Sequence, residues 1–344
     1  MNAVQRLAAA VQGLPADRVP VFCNLLDQGA RLLGLEPREY FADGERVAEA
    51  QLRLRERYGH DNVWSLFYVG REAELLGCRG MVWSHHGPPN VGHMVMHSMA
   101  DVDRVVVPAD VRDHPAFLQP RRCLDLLRRE VGGRHPICAY LTSSMTLPAM
   151  LLGTEKWLPE LLKGPSPERT ALLEKCHAFF VQEVRAYREA GADVLIYANP
   201  FASTDLMPAR FVEEEAMPWV ERDVAAVDAQ GLVFYCGGAR VVPTVEAVLR
   251  RTGLRAFYLS PLDDVAEAKR HTGTALCCGV LNDIKLLRWR PEEVRAEVAR
   301  MMAAGKPGGH FLFGSLVMPL GIPEDTIRTM VDAALELGQW GRPP

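Results

Sequence analysis

The stretch Gly231-Leu232-Val233-Phe234-Tyr235-Cys236-Gly237-Gly238 determines how the sequence is interpreted. It is a short apolar run, rich in residues that favour β-structure, and it stops at once on two glycines. This pattern is typical of a buried parallel strand that brings the side chain at its carboxyl end, here Cys236, to a cleft. Free cysteine is also among the residues most often buried in protein cores, so Cys236 alone does not identify a site.

Similar runs lie on both sides of this stretch and alternate with helical patterns. Strands are predicted at residues 19–23, 61–67, 136–141, 193–198, 232–236, 256–260, 274–279 and 310–314. About eight strands alternating with helices indicate an α/β protein of the (β/α)8, or TIM-barrel, class. A doubly wound open sheet is the alternative, but no Gly-x-Gly-x-x-Gly follows an early strand.

The sequence therefore predicts a single (β/α)8 barrel domain over residues 1–344. A helical extension, residues 2–12, precedes the first strand, and an irregular excursion, residues 70–107, follows the second. The excursion contains His85, His86, His93 and His97. A metal site is one interpretation of these histidines, but the surrounding glycines and prolines favour a loop or hairpin packed on the barrel mouth.

Composition excludes several classes of protein. The net charge is −4, which gives no reason to expect binding to nucleic acid or to an anionic membrane. No apolar run approaches the length of a membrane span. The chain has eight cysteines and no apparent signal peptide, so we expect reduced thiols and a cytoplasmic location.

Active sites of such barrels lie at the carboxyl ends of the strands, so the residues there are the candidates. The catalytic candidates are carboxyl, phenol and thiol groups that can act in acid–base or nucleophilic chemistry: Asp27, Tyr140, Tyr197 and Cys236. The candidates for binding substrate are Asn24, Arg31, Asn199, Asp263 and Asn282. Only Arg31 and Arg240 lie close to these strand ends, so few cationic side chains are available to bind a polyphosphate or multi-carboxylate ligand.

Three of these strand ends carry cysteine. Cys23, Cys236 and Cys278 could bind zinc as thiolates if they share one rim. Their spacing is long-range and lacks a C-x-x-C motif. The pattern therefore leaves open whether these residues are metal ligands or core thiols.

Several motifs together resemble those of the uroporphyrinogen decarboxylase superfamily. They are Arg18-Val-Pro-Val21, Gly191-Ala-Asp-Val-Leu-Ile196, Tyr235-Cys236-Gly237, Gly279-Val-Leu-Asn-Asp283, Gly308-Gly-His-Phe-Leu-Phe-Gly314 and Gly321-Ile-Pro-Glu-Asp-Thr-Ile327. The resemblance covers nearly the whole chain and implies a (β/α)8 barrel that forms a homodimer. It also implies one of two activities: porphyrinogen decarboxylation without a cofactor, or cobalamin-dependent methyl transfer in which zinc activates a thiol such as coenzyme M.

The decarboxylase motifs match only in part. Where the decarboxylases have Arg-Gln-Ala-Gly-Arg, this chain has Asp27-Gln-Gly-Ala-Arg31, without the first arginine. Where they have Asn-Leu-Gly-His, it has Phe313-Gly-Ser-Leu316, without the histidine. These departures argue against decarboxylation of a highly acidic tetrapyrrole as the activity of this chain.

The methyltransferase motifs also match only in part. Cys236 corresponds to the cysteine of their His-x-Cys motif, but Phe234 replaces the histidine, and Ser315 or Leu316 stands where the last cysteine belongs. Two alternatives remain open. Either a metal is held by Cys236 and Cys278, with Cys23 or a histidine of the excursion, or no metal is bound and a catalytic candidate acts directly.

Three functions follow from these observations. The leading hypothesis is a corrinoid (cobalamin)-dependent methyltransferase that moves a methyl group between a methylcobamide and a small acceptor such as a thiol. The methylcobamide would be free or carried by a partner corrinoid protein. The alternatives are a decarboxylase or lyase that acts on a small substrate through Asp27 and the tyrosines, and a non-catalytic barrel that binds a corrinoid or tetrapyrrole.

Overall fold

The computed structural model describes residues 1–85 and 87–340, and it confirms the predicted fold class. The barrel strands are β1 (Val21–Asn24), β2 (Val63–Trp64), β3 (Ile137–Thr142), β4 (Val194–Ala198), β5 (Leu232–Tyr235), β6 (Ala256–Tyr258), β7 (Leu276–Leu281) and β8 (Phe311–Val317). They form one sheet in the order β1-β8-β7-β6-β5-β4-β3-β2, and all the paired strands are parallel.

The helices cover the outside of this sheet. They are α1 (Ala3–Gln12), α2 (Gln28–Leu33), α3 (Pro37–Phe41), α4 (Gly44–Tyr58), α5 (Val69–Leu75), α6 (Leu118–Val131), α7 (Leu147–Leu152), α8 (Thr154–Leu162), α9 (Pro167–Ala190), α10 (Ala209–Phe211), α11 (Met217–Val227), α12 (Val245–Thr252), α13 (Val265–Thr272), α14 (Asp283–Leu286), α15 (Pro291–Gly305) and α16 (Glu324–Leu337). None of the described helices is both long and apolar enough to cross a membrane.

Local chemistry explains where these helices begin and end. The Asp43 side chain accepts the backbone N–H of Glu45 at the start of α4, and Gly59 ends α4 with a positive φ of 76°. A π-helical turn at Val212–Ala216 separates α10 from α11, so the helical segment between β4 and β5 is irregular.

The excursion after β2 contains the predicted hairpin. Strand Arg79–Val82 pairs antiparallel with Asn90–His93. The imidazole Nδ1 of His85 contacts Glu36 Oε2 at 2.9 Å on the exposed surface, while His86 lies outside the described residues.

Side chains close the barrel between β1 and β2. These two strands are the ends of the sheet order and have no backbone ladder between them. Instead, Asn62 Oδ1 accepts the N–H of Cys23 at 2.9 Å, and Trp64 Nε1 donates to the carbonyl oxygen of Cys23 at 2.9 Å. The backbone N–H of Asp61 donates to Val21 O at 2.8 Å. Buried backbone groups that would otherwise lack partners are satisfied in this way.

The Asp61 carboxylate is the centre of this closure. It is 2% exposed, and its Oδ2 accepts the N–H of Val21 at 2.7 Å. It also forms ion pairs with Arg6 and Arg18, each at 2.6 Å. One carboxylate therefore joins α1, the segment before β1 and the first residue of β1 to the segment before β2.

A buried pair of carboxyl groups packs α5 and α9 against β3. Glu72 and Glu183 are each 1% exposed, and their carboxyl groups are close enough for Glu72 to raise the pKa of Glu183. Glu72 also accepts the N–H of Thr142 at 2.7 Å and the Thr142 hydroxyl. Burial raises the pKa of Glu72 to about 7 and that of Glu183 well above its usual 4.5. The pair therefore binds protons more tightly in the folded chain than in the unfolded chain.

We expect Asp61→Asn to destabilise the fold by about 3 kcal/mol, because Arg18 would lose its carboxylate partner and the buried Arg6 would keep only Asp17. Guanidinium chloride unfolding followed by circular dichroism measures this loss. The matched control is Asp17→Asn, which removes the other partner of Arg6 from a carboxyl that is 45% exposed. The control should cost about 1 kcal/mol or less, and equal losses would contradict the central role of Asp61.

The Glu72–Glu183 pair predicts a fold that loses stability as pH rises from about 4.5 towards neutral. The unfolded chain releases these protons in that window, whereas the folded chain retains them. The substitution Glu183→Gln should reduce the loss by roughly 1–3 kcal/mol between pH 5 and 8. Urea unfolding at each pH tests this, with Glu189→Gln as the exposed control on α9. Parallel curves for wild type and Glu183→Gln would be inconsistent with a proton-sharing pair.

Candidate active site

Successive side chains of each barrel strand point alternately into the barrel and out towards the helices. Tyr140, Tyr235 and Tyr258 point inward, and we call them the tyrosine layer. The ring centroids of Tyr140 and Tyr235 are 6.0 Å apart, and those of Tyr235 and Tyr258 are 5.6 Å apart. Trp64 and Phe67 flank Tyr140, with ring centroids at 6.4 and 4.9 Å. The layer forms the floor of the mouth, by which we mean the carboxyl end of the barrel.

The phenols of this layer are protonated near neutral pH. Burial raises the pKa of Tyr140 and Tyr258 well above the usual value of 10, and it also raises the pKa of Tyr235. The Tyr258 hydroxyl donates to the backbone oxygen of Ser315, and the phenol rings of Tyr140 and Tyr235 contact each other edge to face. The layer therefore presents neutral hydrogen-bonding groups to a ligand above it.

Asp27 follows β1, as the sequence predicts. The residue is 2% exposed, and its Oδ1 has no hydrogen-bond partner among the described residues. Burial raises the pKa of this carboxyl to about 7. Near neutral pH the group is divided between its acid and base forms, which is the condition that suits general acid–base catalysis.

Asn199 is the predicted binding residue with unused hydrogen-bonding capacity. It follows β4 and is fully buried, and its Nδ2 has no partner in the part of the chain that the structure describes. Its Oδ1 accepts from the Thr146 hydroxyl at 3.5 Å. A buried donor without a partner is costly, so this amide is suited to a ligand that supplies an acceptor.

The two arginines near the strand ends are used to hold loops. Nη1 of Arg31 donates to the backbone oxygens of Leu320 and Ile322 at 3.0 and 2.8 Å, in the loop after β8. Arg240 forms a two-point contact with the Asp205 carboxylate, at 2.6 Å from Nη2 and 3.0 Å from Nε. Both guanidinium groups therefore already have hydrogen-bond partners within the chain and are poorly suited to bind a ligand carboxylate.

The other predicted binding residues also make local contacts. Asp263 accepts the backbone N–H of Ser260 at 2.9 Å, and it accepts two more from Val241 and Val242 at 3.0 and 3.2 Å. Asn282 caps α14, and Asn24 Oδ1 accepts the N–H of Leu26 at 3.3 Å. These residues shape the loops of the mouth, and a role in binding substrate remains a prediction.

Cys236 points away from the tyrosine layer. It is fully buried, and its thiol lies beside Thr244, in the turn before α12. Burial raises the pKa of this thiol, so it is protonated near neutral pH. Because Tyr235 and Cys236 are neighbours in the chain, they point to opposite faces of the barrel wall. The end of the strand was predicted correctly, but the residue that enters the barrel there is Tyr235.

Tyr197 also points towards the helices. Its hydroxyl donates to Asp223 Oδ2 at 2.9 Å, and the same oxygen accepts the N–H and O–H of Ser144 at 3.1 and 2.8 Å. Asp223 Oδ1 contacts His177 Nδ1 at 2.8 Å. Asp223 is fully buried, so this carboxylate ties β4, α9 and α11 together with the loop after β3.

The three cysteines predicted as metal ligands are not brought together. Cys236 packs outside the barrel wall, whereas Cys278 lines a cavity inside it, and Cys23 is fully buried at the β1–β2 closure. Over residues 1–85 and 87–340, no group of three or more His, Cys, Asp or Glu side chains is placed to hold a metal ion. Zinc therefore has no assembled ligand set in this structure.

The sequence pattern did not single out Tyr235 or Tyr258 as site residues. Asp283 follows β7, interacts electrostatically with Tyr235, and is half-buried, so its pKa is raised. Strand alternation was the available signal, because it places Tyr235 inside the barrel whenever Cys236 is outside.

Comparison with known proteins places the chain in a family. The family model described as uroporphyrinogen decarboxylase (URO-D) matches residues 2–337. The methylcobamide:CoM methyltransferase MtbA of Methanosarcina mazei is 25% identical over 344 residues, which are 96% of this chain and 96% of that protein. The uroporphyrinogen decarboxylase of Geotalea uraniireducens is 24% identical, over 97% of this chain and 99% of that protein.

A solved structure shares the fold. It is a methyltransferase from Methanosarcina mazei with a TM-score of 0.83 and 22% sequence identity, and the match covers 98% of this chain and 99% of that one. The motifs that suggested the superfamily, the observed barrel and the match over nearly the whole length agree with one another. The chain belongs to the uroporphyrinogen decarboxylase family.

Proposed function

We propose that this protein catalyses corrinoid-dependent methyl transfer between a methylcobamide and a small acceptor such as a thiol. The observation that carries the proposal is the similarity to the methylcobamide:CoM methyltransferase MtbA, which extends over 96% of both chains. The comparisons support an enzyme with methyltransferase activity. We infer in addition that the methyl donor is a corrinoid and that the acceptor is a thiol.

The chemistry of the mouth favours this function over decarboxylation of a highly acidic tetrapyrrole. Such a substrate needs cations to bind its carboxylates. Arg31 is bound to two backbone carbonyls, and Arg240 is paired with Asp205. The phenols of the tyrosine layer are neutral, and Asp27 and Asp283 would repel further carboxylates when ionised. A small acceptor with one exchangeable proton suits this site better.

Asp27 is the proposed general base. The substrate methylcobamide supplies the methyl group and leaves with the electron pair of its broken carbon–cobalt bond. The acceptor gives up its proton as its own new bond to the methyl carbon forms. Oδ1 of Asp27, which has no hydrogen-bond partner among the described residues, receives that proton. With a pKa of about 7, the carboxylate is sufficiently basic and sufficiently populated near neutral pH.

The tyrosine layer and Asn199 are proposed to orient the acceptor. Tyr140 and Tyr235 can donate hydrogen bonds without competing for the proton, because burial raises their pKa. Nδ2 of Asn199, for which the described residues offer no hydrogen-bond partner, adds a donor at the end of β4. Fixed donors of this kind position a reactant with little reorganisation.

The loops around the mouth expose apolar side chains that suit a large partner. Leu206, Leu262 and Ile284, which follow β4, β6 and β7, are 53%, 65% and 62% exposed. We propose that these loops receive the methylcobamide, either free or on a corrinoid protein. A homodimer and a cytoplasmic location belong to the same proposal.

Mixing the purified protein with methylcob(III)alamin and a series of thiols tests the function directly. Methyl transfer should change the corrinoid absorption spectrum and yield the methylated thiol. A parallel assay with uroporphyrinogen III tests the alternative, and carboxyl loss from that substrate would favour a decarboxylase. Tight corrinoid binding without any turnover would favour a non-catalytic barrel.

The substitution Asp27→Asn should lower the methyl-transfer rate at pH 7.5 by about 100-fold or more, because general-base catalysis contributes 10²–10⁴-fold. The wild-type rate should rise through an apparent pKa near 7, whereas the variant should not show this rise. Initial rates measured from pH 5.5 to 8.5 give both profiles. An unchanged profile in the variant would exclude Asp27 as the base.

The substitution Cys236→Ser tests whether this thiol takes part in the reaction. Because the thiol faces Thr244 and not the tyrosine layer, we expect the rate to change by less than about threefold. Loss of activity at unchanged thermal stability would instead assign the thiol a direct role. Metal analysis of the purified wild type and variant accompanies the rates, and stoichiometric zinc that the variant loses would indicate a ligand set assembled only on binding.

A further inference from the structure

A cavity enters the barrel from its amino-terminal end, opposite the mouth. Its volume is about 440 Å³, and its entrance lies between α1 and the segments that lead into β4, β5 and β6. It extends past the first residues of these strands to side chains inside the barrel. Of the residues proposed for methyl transfer at the mouth, Tyr258 alone lines this cavity, and it does so with its ring, so the cavity is a separate candidate site.

One face of α1 forms the outer wall of this cavity. Val4, Leu7, Ala8 and Val11 line it, at the i, i+3, i+4 and i+7 spacing of an apolar stripe. The opposite face of α1 is already packed on the barrel. A helix normally buries its apolar stripe, but Val11 is 45% exposed here. The stripe therefore borders an open space that an apolar ligand could fill.

The deep end of the cavity is apolar and offers no unused polar group. Phe22, Ile196 and Leu312 line it together with Tyr258 and Cys278. The Tyr258 hydroxyl already donates to the backbone oxygen of Ser315, so only its ring faces the cavity. Burial keeps the Cys278 thiol neutral by raising its pKa. A charged group placed here would lose its hydration without gaining a partner.

The two charged side chains at the entrance, Asp193 and Arg255, already have hydrogen-bond partners. Oδ2 of Asp193 accepts the N–H of Ile137 at 2.9 Å, and Nη2 of Arg255 donates to the Thr274 hydroxyl at 2.6 Å. A ligand carboxylate would meet Asp193 as well as Arg255, so the entrance does not select for an anion. The lining therefore favours an uncharged molecule.

We propose that this cavity binds one uncharged, apolar small molecule per chain. Its volume falls within the range of small-molecule sites, about 300–1,000 Å³. It is roughly three times the 150 Å³ of an engineered cavity that binds benzene. The depth of the cavity, which reaches side chains of the barrel interior, suits a compact molecule better than a helix lying across the entrance.

The experiment uses the full chain and the uncharged fluorescent probe N-phenyl-1-naphthylamine. Titration should give saturable binding of one probe per chain. The substitution Ala8→Trp places an indole at the entrance from an exposed position on α1, and it should weaken binding at least tenfold. The matched control is Gln5→Trp, because Gln5 is exposed on the same helix but does not line the cavity. This control should bind the probe as the wild type does.

Further measurements keep the proposal falsifiable if Ala8→Trp folds poorly. The substitution Val11→Glu brings a charge to the entrance and should also weaken binding at least tenfold, with an unchanged melting temperature as the check on folding. Decanol should displace the probe at least tenfold better than decanoate. Equal binding by wild type and both entrance variants, or better displacement by decanoate, would overturn the site or its ligand class. Binding that falls as protein concentration rises would show that a second copy covers the cavity, and would also overturn it.

Discussion

The barrel depends on one buried carboxylate. Asp61 pairs with two guanidinium groups and with a strand amide, and it does so where β1 and β2 have no backbone ladder between them. An uncompensated charge at this depth would be strongly unfavourable, so Asp61 and its two arginines are interdependent. The same contacts hold α1 against the amino-terminal end of the barrel. The closure therefore fixes the position of Asp27 after β1. It also fixes the position of α1, which forms the outer wall of the cavity at the amino-terminal end of the barrel.

The tyrosine layer divides the barrel interior into two chemical environments. Above it lie the carboxyl ends of the strands, with Asp27 after β1 and Asn199 after β4, where we propose the site of methyl transfer. Below it, the deep end of the cavity is apolar, and the Tyr258 hydroxyl there already has a partner. Tyr258 belongs to both regions, because its ring packs against Tyr235 and also lines the lower cavity. A ligand below and a substrate above would therefore contact adjacent rings.

The architecture could be predicted from the sequence because it depends on local patterns. Short apolar runs that end on glycine or polar residues specify buried strands, and helix caps such as Asp43 and Gly59 mark what lies between them. For the candidate site, the sequence predicted how far along each strand a residue lies, but not which face of the sheet its side chain occupies. Asp27 was placed correctly after β1, but Cys236 was selected in place of Tyr235 because a strand end does not reveal which face is inside. The Glu72–Glu183 contact was not predictable, since it arises from packing between two helices far apart in the chain.

Trp64 gives the barrel an intrinsic optical reporter. Its indole is 2% exposed, donates to the Cys23 carbonyl and lies with its ring centroid 6.4 Å from that of Tyr140. An indole in such dry surroundings emits at shorter wavelengths than one in contact with water. A coloured macrocycle seated above Tyr140 would accept its excitation energy and quench that emission. Occupancy of the mouth could therefore be followed by fluorescence without attaching a dye to the chain.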